Sequence, residues 1–278
     1  MQLQMLCYKL LKKIFITGLL IVATVPHDYR KRYILSKRVR NAMINVLSNS
    51  EKVKYLEAAT IYGFHNQLQP WASQILRNFP WLRTSDPYAI FIAEFLLQKT
   101  GASTAAPVYE AFICRYPTLA ALAATPVEQV AVTLQPLGLH FRAGRLCQSV
   151  QIILEQHDGK IPRTESELLQ LRGVGLYTAR SICAHAFSQP KAVLDTNVAR
   201  ILERFFGLQG NQVKSRCKLL WKAAERLAPD RDVGKWNLTL LDFGAMICTA
   251  KNPNCVDCPL RERCHYVKLT HPQKPTFP

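Results

Sequence analysis

From residue 41 onward, apolar positions recur at three- and four-residue spacing, the periodicity of amphipathic helices. Short punctuation separates the runs, at Pro80, Pro87, Pro117, Pro126, Pro136-Leu137-Gly138, Pro162, Pro190, Gly207 and Pro229. Strand-like alternation is scarce, and no repeat of roughly 20–50 residues is present. The pattern predicts a mainly α protein with short connections.

Two helix starts carry recognisable capping chemistry. Ser85-Asp86-Pro87 opens a helix predicted to run from Tyr88 to about Lys99, with proline tolerated in its first turn. Thr164 stands three residues before Glu167, a capping-box spacing. Within the first of these helices Glu94 lies in the run Ile90-Phe91-Ile92-Ala93-Glu94-Phe95-Leu96-Leu97. A carboxyl in such a run is either a salt-bridged core group or one lining a pocket, and burial raises its pKa.

Composition narrows the class of partner. The chain has 278 residues, 49% hydrophobic and 20% charged, which is a globular composition. It carries 36 Lys and Arg against 19 Asp and Glu, a net charge of +17, so a polyanionic partner is expected, nucleic acid before an anionic membrane. Residues 1–50 contribute nine basic residues and one acid, and removing their +8 still leaves +9. In that segment Lys12-Lys13 precedes an apolar run from Ile14 to Val25, too short to span a bilayer comfortably. It resembles a signal-peptide core but lacks a convincing cleavage site. Residues 1–50 are therefore read as an extension outside the fold, and the protein as cytoplasmic and nucleoid-associated.

The remaining chemistry lies in three segments. In Leu171-Arg172-Gly173-Val174-Gly175-Leu176-Tyr177-Thr178-Ala179, two glycines flank one apolar residue between two helical stretches. The helix before the turn is expected over 166–171. Backbone N–H groups at such a hairpin can approach a phosphate and grip a nucleic-acid backbone without reading its sequence. Downstream, Asp195 follows the apolar pair Val193-Leu194 and begins another amphipathic helix. It is either a simple N-cap or a carboxylate placed to stabilise developing positive charge on a sugar. Finally, Cys248, Cys255, Cys258 and Cys264 leave six, two and five residues between them. Four thiolates in one loop suit a tetrahedral zinc or an iron–sulfur cube, and the basic Lys251, Arg261, Arg263 and Lys268 surround them. The other five cysteines stand singly and read as reduced thiols.

Together these segments resemble the helix–hairpin–helix, Gly/Pro-Asp superfamily of DNA glycosylases, the endonuclease III-like group. The resemblance runs from about Pro80 to His265, anchored by Phe79-Pro80-Trp81, Glu94-Phe95-Leu96-Leu97-Gln98-Lys99-Thr100, the hairpin, Leu194-Asp195-Thr196-Asn197-Val198 and Leu241-Asp242-Phe243-Gly244-Ala245-Met246-Ile247-Cys248. It implies two helical domains with a DNA-binding cleft: residues 80–194 with the hairpin, and residues 51–79 plus 195–278 with a C-terminal [4Fe–4S] cluster loop. The cluster cofactor would be held by Cys248, Cys255, Cys258 and Cys264. The partner is double-stranded DNA with a mismatched or damaged base, which is flipped into a pocket. The protein is expected to be a monomer without a small-molecule cofactor.

The resemblance also assigns roles. Glu94 would protonate or hydrogen-bond the departing base, Asp195 would support the oxocarbenium-like sugar and guide water, and Tyr177 would edge the pocket. Family members that also nick the strand carry lysine where this chain has Tyr177, so the resemblance is to the monofunctional branch. Gln98, Lys99, Thr100, Leu139, Arg142, Gly173, Val174, Gly175 and Thr178 are expected to contact DNA, with Arg142, Lys99 and Arg145 on phosphates and Gln98 or Leu139 filling the vacated stack.

Two substrates compete. Gln98-Lys99-Thr100, Gly138-Leu139-His140-Phe141-Arg142-Ala143 and Asp195-Thr196-Asn197 depart from the pattern usual in adenine glycosylases, and the chain ends 14 residues after Cys264. The expectation favours thymine or uracil opposite guanine, with adenine opposite guanine or 8-oxoguanine as the alternative. A non-catalytic DNA-binding adaptor is the further alternative, disfavoured by the presence of both carboxylates.

Overall fold

The computed structural model describes residues 58–75, 77–138 and 141–270. The N-terminal extension and Leu139 therefore lie outside the described residues. Twelve α-helices and no strand occur among the described residues: α1 (Ala58–Ile75), α2 (Pro87–Leu96), α3 (Ala102–Arg115), α4 (Leu119–Ala123), α5 (Val127–Leu134), α6 (Phe141–Gln156), α7 (Glu165–Leu168), α8 (Leu176–Phe187), α9 (Thr196–Phe206), α10 (Lys218–Leu227), α11 (Val233–Met246) and α12 (His265–Thr270). No helix among them is long and apolar enough to cross a membrane.

Their buried faces form two hydrophobic cores. One gathers residues from Trp81 to Cys183, with Phe91, Phe95, Phe112, Leu146 and Ile182 fully enclosed. The other joins Phe64 and Leu68 of α1 to residues from Ala192 to Val267, so its chain is interrupted by the first core. Helix α8 belongs to the first core through Ala179 and Ile182, while its first residue, Leu176, packs against the second. Helix α2 packs on α8 in one core and α9 on α11 in the other.

Polar latches fix the two crossings between the cores. Asp242, buried on α11, accepts the Arg77 backbone N–H at 3.0 Å and Nε at 2.8 Å, and also pairs with Nη2. Asn237 accepts the Val193 N–H at 3.2 Å and donates to the Lys191 carbonyl at 2.9 Å. Each latch satisfies backbone groups in a segment that belongs to no helix.

The capping chemistry read from the sequence is present. Asp86 accepts the amides of Tyr88 and Ala89 at the start of α2. Thr164 and Glu167 exchange the reciprocal capping-box bonds at α7. Two helix ends differ from expectation. Helix α2 stops at Leu96, before Lys99, because Lys99 takes a left-handed conformation with φ +54°. Helix α7 covers Glu165–Leu168, and tighter i→i+3 bonds at Gln170 and Leu171 lead into the hairpin.

Candidate active site and iron–sulfur loop

Glu94 projects from α2 and is 8% exposed. The Ser181 hydroxyl, on α8, donates to its Oε1 at 2.7 Å. Burial pushes the Glu94 carboxyl up to about 7, and the Ser181 bond opposes this by favouring the charged form. Near neutrality the group is therefore divided between acid and carboxylate, as a general acid requires.

Tyr177 lies one helical turn before Ser181 on α8. Its hydroxyl is pushed well above the ordinary tyrosine range by burial, then by the charges of Glu94 and Asp195. A single phenol thus senses both carboxyls, so Glu94 and Asp195 each lie within electrostatic reach of Tyr177.

Asp195 is the N-cap of α9. Its Oδ1 accepts the Val198 N–H at 2.8 Å and its Oδ2 accepts Asn197 Nδ2 at 2.8 Å. Burial raises its pKa, while those donors and the Arg200 charge pull it down. The capping reading of the sequence is therefore literally present, and the cap holds the carboxylate in a fixed orientation. Asn197 is in turn held by Arg200 Nη2 at 2.8 Å and packs against Gly244 of α11. A Cβ on Gly244 would stand 2.6 Å from the Asn197 Cβ, so the close approach requires glycine.

The hairpin stands against the C-terminal end of α2. Gly173 takes φ +83°, and a Cβ there would meet the Phe95 ring at 3.3 Å. Gln98 Nε2 donates to the Gly173 carbonyl at 2.9 Å. Ser149 of α6 donates to the Arg172 carbonyl at 2.7 Å. Val174 and Thr178 are buried, so what this turn offers a phosphate is backbone, with Gly175 exposed at the N-cap of α8. Lys99 is exposed beside it. Arg145 and Arg172 line an adjoining groove of about 750 Å³ with Gln148, Gln151, Glu155 and Gly173.

Arg142 does not stand where a phosphate contact would. It is 2% exposed and donates to the Leu96 carbonyl at 3.0 Å, the Gln98 carbonyl, and Thr100 Oγ1 at 2.9 Å. The expected phosphate contact is corrected to a buried clamp that satisfies carbonyls at the end of α2. Thr100 is occupied by the same clamp.

The four clustered cysteines lie against the second core, with Cys264 buried and the others half-buried. Cys258 is pushed up to about 12 by burial and by the neighbouring Cys264, Cys248 and Cys255. Burial likewise raises Cys255 and Cys264. The four thiols therefore share one neighbourhood, and all four as thiolates require a strong positive charge among them. No three metal-ligating side chains among the described residues close on a single ion. A donor set of four gathered thiols fits an iron–sulfur cube. Arg204 supports the loop, donating to Cys248 Sγ at 3.5 Å, to the Thr249 carbonyl at 2.7 Å and to the Ala250 carbonyl at 3.1 Å.

Ser181, Asn197 and Arg200 had no role in the sequence reading. Only the i, i+4 spacing of Tyr177 and Ser181 was available to place Ser181 beside the site.

A glycine hairpin between helices, a buried and a half-buried carboxyl and a four-cysteine loop together define a DNA-repair class of helical protein. Residues 92–226 match the model of the HhH-GPD superfamily base excision DNA repair proteins, and residues 248–264 match the iron–sulfur binding domain of endonuclease III. A thymine/uracil-DNA glycosylase of Methanothermobacter thermautotrophicus is 34% identical over 191 residues, covering 68% of this chain and 86% of that protein. An adenine DNA glycosylase of Buchnera aphidicola subsp. Schizaphis graminum is 33% identical over 74% of this chain and 60% of its own length. The solved structure of a thermostable thymine-DNA glycosylase superposes with a TM-score of 0.71 at 31% identity, over 75% of this chain and 97% of that one. The protein belongs to the HhH-GPD superfamily of base excision DNA repair proteins and carries its [4Fe–4S] loop.

Proposed function

We propose that the protein is a monofunctional DNA glycosylase that hydrolyses the N-glycosidic bond of thymine or uracil opposite guanine and leaves an abasic site. The observation that carries this is a buried carboxyl, Glu94, and a half-buried one, Asp195, that both act on Tyr177. Burial raises both, Glu94 to about 7, but Asp195 alone has backbone and Asn197 donors and the Arg200 charge that favour its ionised form. The names of the thymine/uracil-DNA glycosylase relative and the superposed thymine-DNA glycosylase support the pyrimidine reading. The adenine relative keeps the alternative substrate open to the same test.

In this reading the C1′–N bond breaks with its electron pair leaving on the base, which takes the Glu94 proton. Asp195, ionised, stabilises the oxocarbenium-like sugar. Water adds to C1′, and its proton passes through Asp195 to solvent. Tyr177 offers no amine to form a covalent adduct, so the strand stays intact.

The division at residues 80–194 against 51–79 plus 195–278 would place the DNA across the seam between the two cores. Hairpin amides, Gly175, Lys99, Arg145 and Arg172 would meet phosphates, and Gln98 or Leu139 would fill the vacated stack. Phosphate contacts of this kind weaken as salt rises. Cys248, Cys255, Cys258 and Cys264 would hold the cluster, whose cationic iron would stabilise their thiolate forms, and the segment around them carries the exposed Lys251, Arg261, Arg263 and Lys268. The protein would act as a monomer on duplex DNA, without a small-molecule cofactor.

The test is single-turnover base release from duplexes holding thymine, uracil or adenine opposite guanine, and adenine opposite 8-oxoguanine, each with and without alkali. Thymine or uracil release that needs alkali to break the strand is the expected result. Adenine release alone would transfer the site to a purine, and release from none would leave a DNA-binding adaptor. Asp195→Asn should abolish release while keeping DNA affinity; equal loss of both would remove Asp195 from the chemistry.

A further inference from the structure

We infer that Ser181 is a positioning residue for the reaction, fixing one oxygen of Glu94 and setting the pH range over which Glu94 can act as an acid. The inference rests on the catalytic role proposed above for Glu94.

Ser181 is 1% exposed, in the middle of α8. A serine buried in a helix ordinarily returns its hydroxyl to the carbonyl one turn back. Ser181 instead spends its proton on Glu94 Oε1, across the contact between α8 and α2. The bond joins residues 87 positions apart and is the only hydrogen bond to the Glu94 side chain among the described residues. The other oxygen, Oε2, is not among the sealed, unpaired polar atoms of the interior. One carboxyl oxygen is thus anchored, and the other is left for a substrate.

The groups facing Glu94 are few. From α8 come Ser181 and Tyr177. Helix α3 and the turn Pro80–Arg83 also pack on α2, and no titratable group from either acts on Glu94. Its own helix supplies the buried apolar Phe91 and Phe95 to the same core. Among the described residues no cation acts on the carboxylate left after proton donation, and the Ser181 bond is the interaction that stabilises it.

The consequences separate positioning from packing. Removing the hydroxyl destabilises the carboxylate, so Glu94 keeps its proton to higher pH. The alkaline limb of base release then moves upward. The plateau below it falls, because the carboxyl is no longer aimed.

The experiment uses the full-length protein with its cluster, as wild type, Ser181→Ala, Ser181→Cys and Glu94→Gln. The Glu94 midpoint is read from the carboxyl ¹³C resonance of glutamate-labelled protein, assigned by its loss in Glu94→Gln. The pH profile of single-turnover base release is measured on a thymine–guanine duplex. Both serine variants should raise the midpoint and the alkaline limb together, by about one pH unit, the scale of one hydrogen bond to a charged group. Cysteine preserves the volume but donates weakly, so it should behave like alanine. A wild-type midpoint in both variants overturns the inference, as does a cysteine variant matching wild type in both readouts. If Glu94→Gln keeps full base release while the midpoint still moves, the failure lies in the proposed acid and not in the Ser181 bond.

Discussion

Arg200 Nε donates to the backbone carbonyl of Cys248 at 2.7 Å, so a residue of the cap that orients Asp195 is bonded directly to the first cysteine of the cluster loop. The same guanidinium reaches Asn197 Oδ1 at 2.8 Å and the Gly244 carbonyl at 2.7 Å through Nη2, and the Thr196 carbonyl at 3.3 Å through Nη1. Its planar fork links α9, α11 and the cysteine loop, a geometry that an ammonium cannot reproduce.

Arg200→Lys should therefore affect two properties at once. Single-turnover base release should fall on the order of tenfold or more, since charge-assisted bonds that hold Asn197 against Asp195 are lost. The visible absorbance of the cluster should also decay faster in air, because the Cys248 carbonyl loses its donor. Normal base release from a variant with its cluster intact would show that the link has no catalytic consequence.

Glu94 predicts a pH-dependent stability. Its pKa is raised in the fold, from 4.5 to about 7, so the native state holds a proton that the unfolded chain has released between those values. The contribution is fully present below about pH 4.5 and is lost as pH rises through about 7. The loss is at most about 3 kcal/mol. Glu94→Gln removes the titration, so the variant should gain stability relative to wild type as pH rises from 5 to 8. Denaturant unfolding at several pH values reads this difference directly, and His185, held near 4 by burial, cancels in the comparison. A constant difference between the two proteins would mean that Glu94 is solvated.

Arg142 predicts a stability effect with no electrostatic signature on DNA binding. Arg142→Lys cannot satisfy the Leu96 and Gln98 carbonyls and Thr100 together. The variant should lose about 2–4 kcal/mol of stability, the usual scale for orphaning partners of a buried charge. The salt dependence of DNA affinity should be unchanged, whereas neutralising the exposed Arg145 should lower its slope by about one unit. A reduced slope for an Arg142 variant would restore it to the DNA surface.

The contrast between Arg142 and Asp86 shows what a sequence can carry. Asp86 caps amides two and three residues away, so its role is written locally and was readable. The Thr164–Glu167 box, the glycine hairpin and the cysteine spacing are local in the same sense. Arg142 meets acceptors 42 to 46 residues away, and only where the end of α2 comes to lie decides whether its charge faces solvent or carbonyls. Ser181 was invisible for the same reason, its acceptor lying 87 positions upstream. Glu94 was half-legible: its apolar run announced burial but could not tell an ion-paired core group from one held by a single hydroxyl. Helix ends were lost where tertiary acceptors compete, as at Lys99, whose left-handed backbone ends α2 earlier than the apolar pattern does.

Tyr177 offers a gain of function in place of a loss. Its side chain is half-buried between the influences of Glu94 and Asp195, and burial is the largest of them. An amine in that position would be desolvated, which lowers its pKa toward neutrality and frees its lone pair. Asp195 would oppose this in part by favouring the ammonium, so the reactive fraction of the amine should grow as pH rises. Attack on C1′ would expel the base with its electron pair, and loss of the ring oxygen's bond to C1′ would give an imine between lysine and sugar. That adduct can eliminate the 3′ phosphate and nick the strand. Tyr177→Lys should therefore break the strand without added alkali and become covalently attached to DNA when borohydride reduces the imine, increasingly so as pH rises. Wild type should do neither. Base release by the variant with no trapped adduct would place residue 177 out of reach of the sugar, leaving Tyr177 a packing residue beside Ser181.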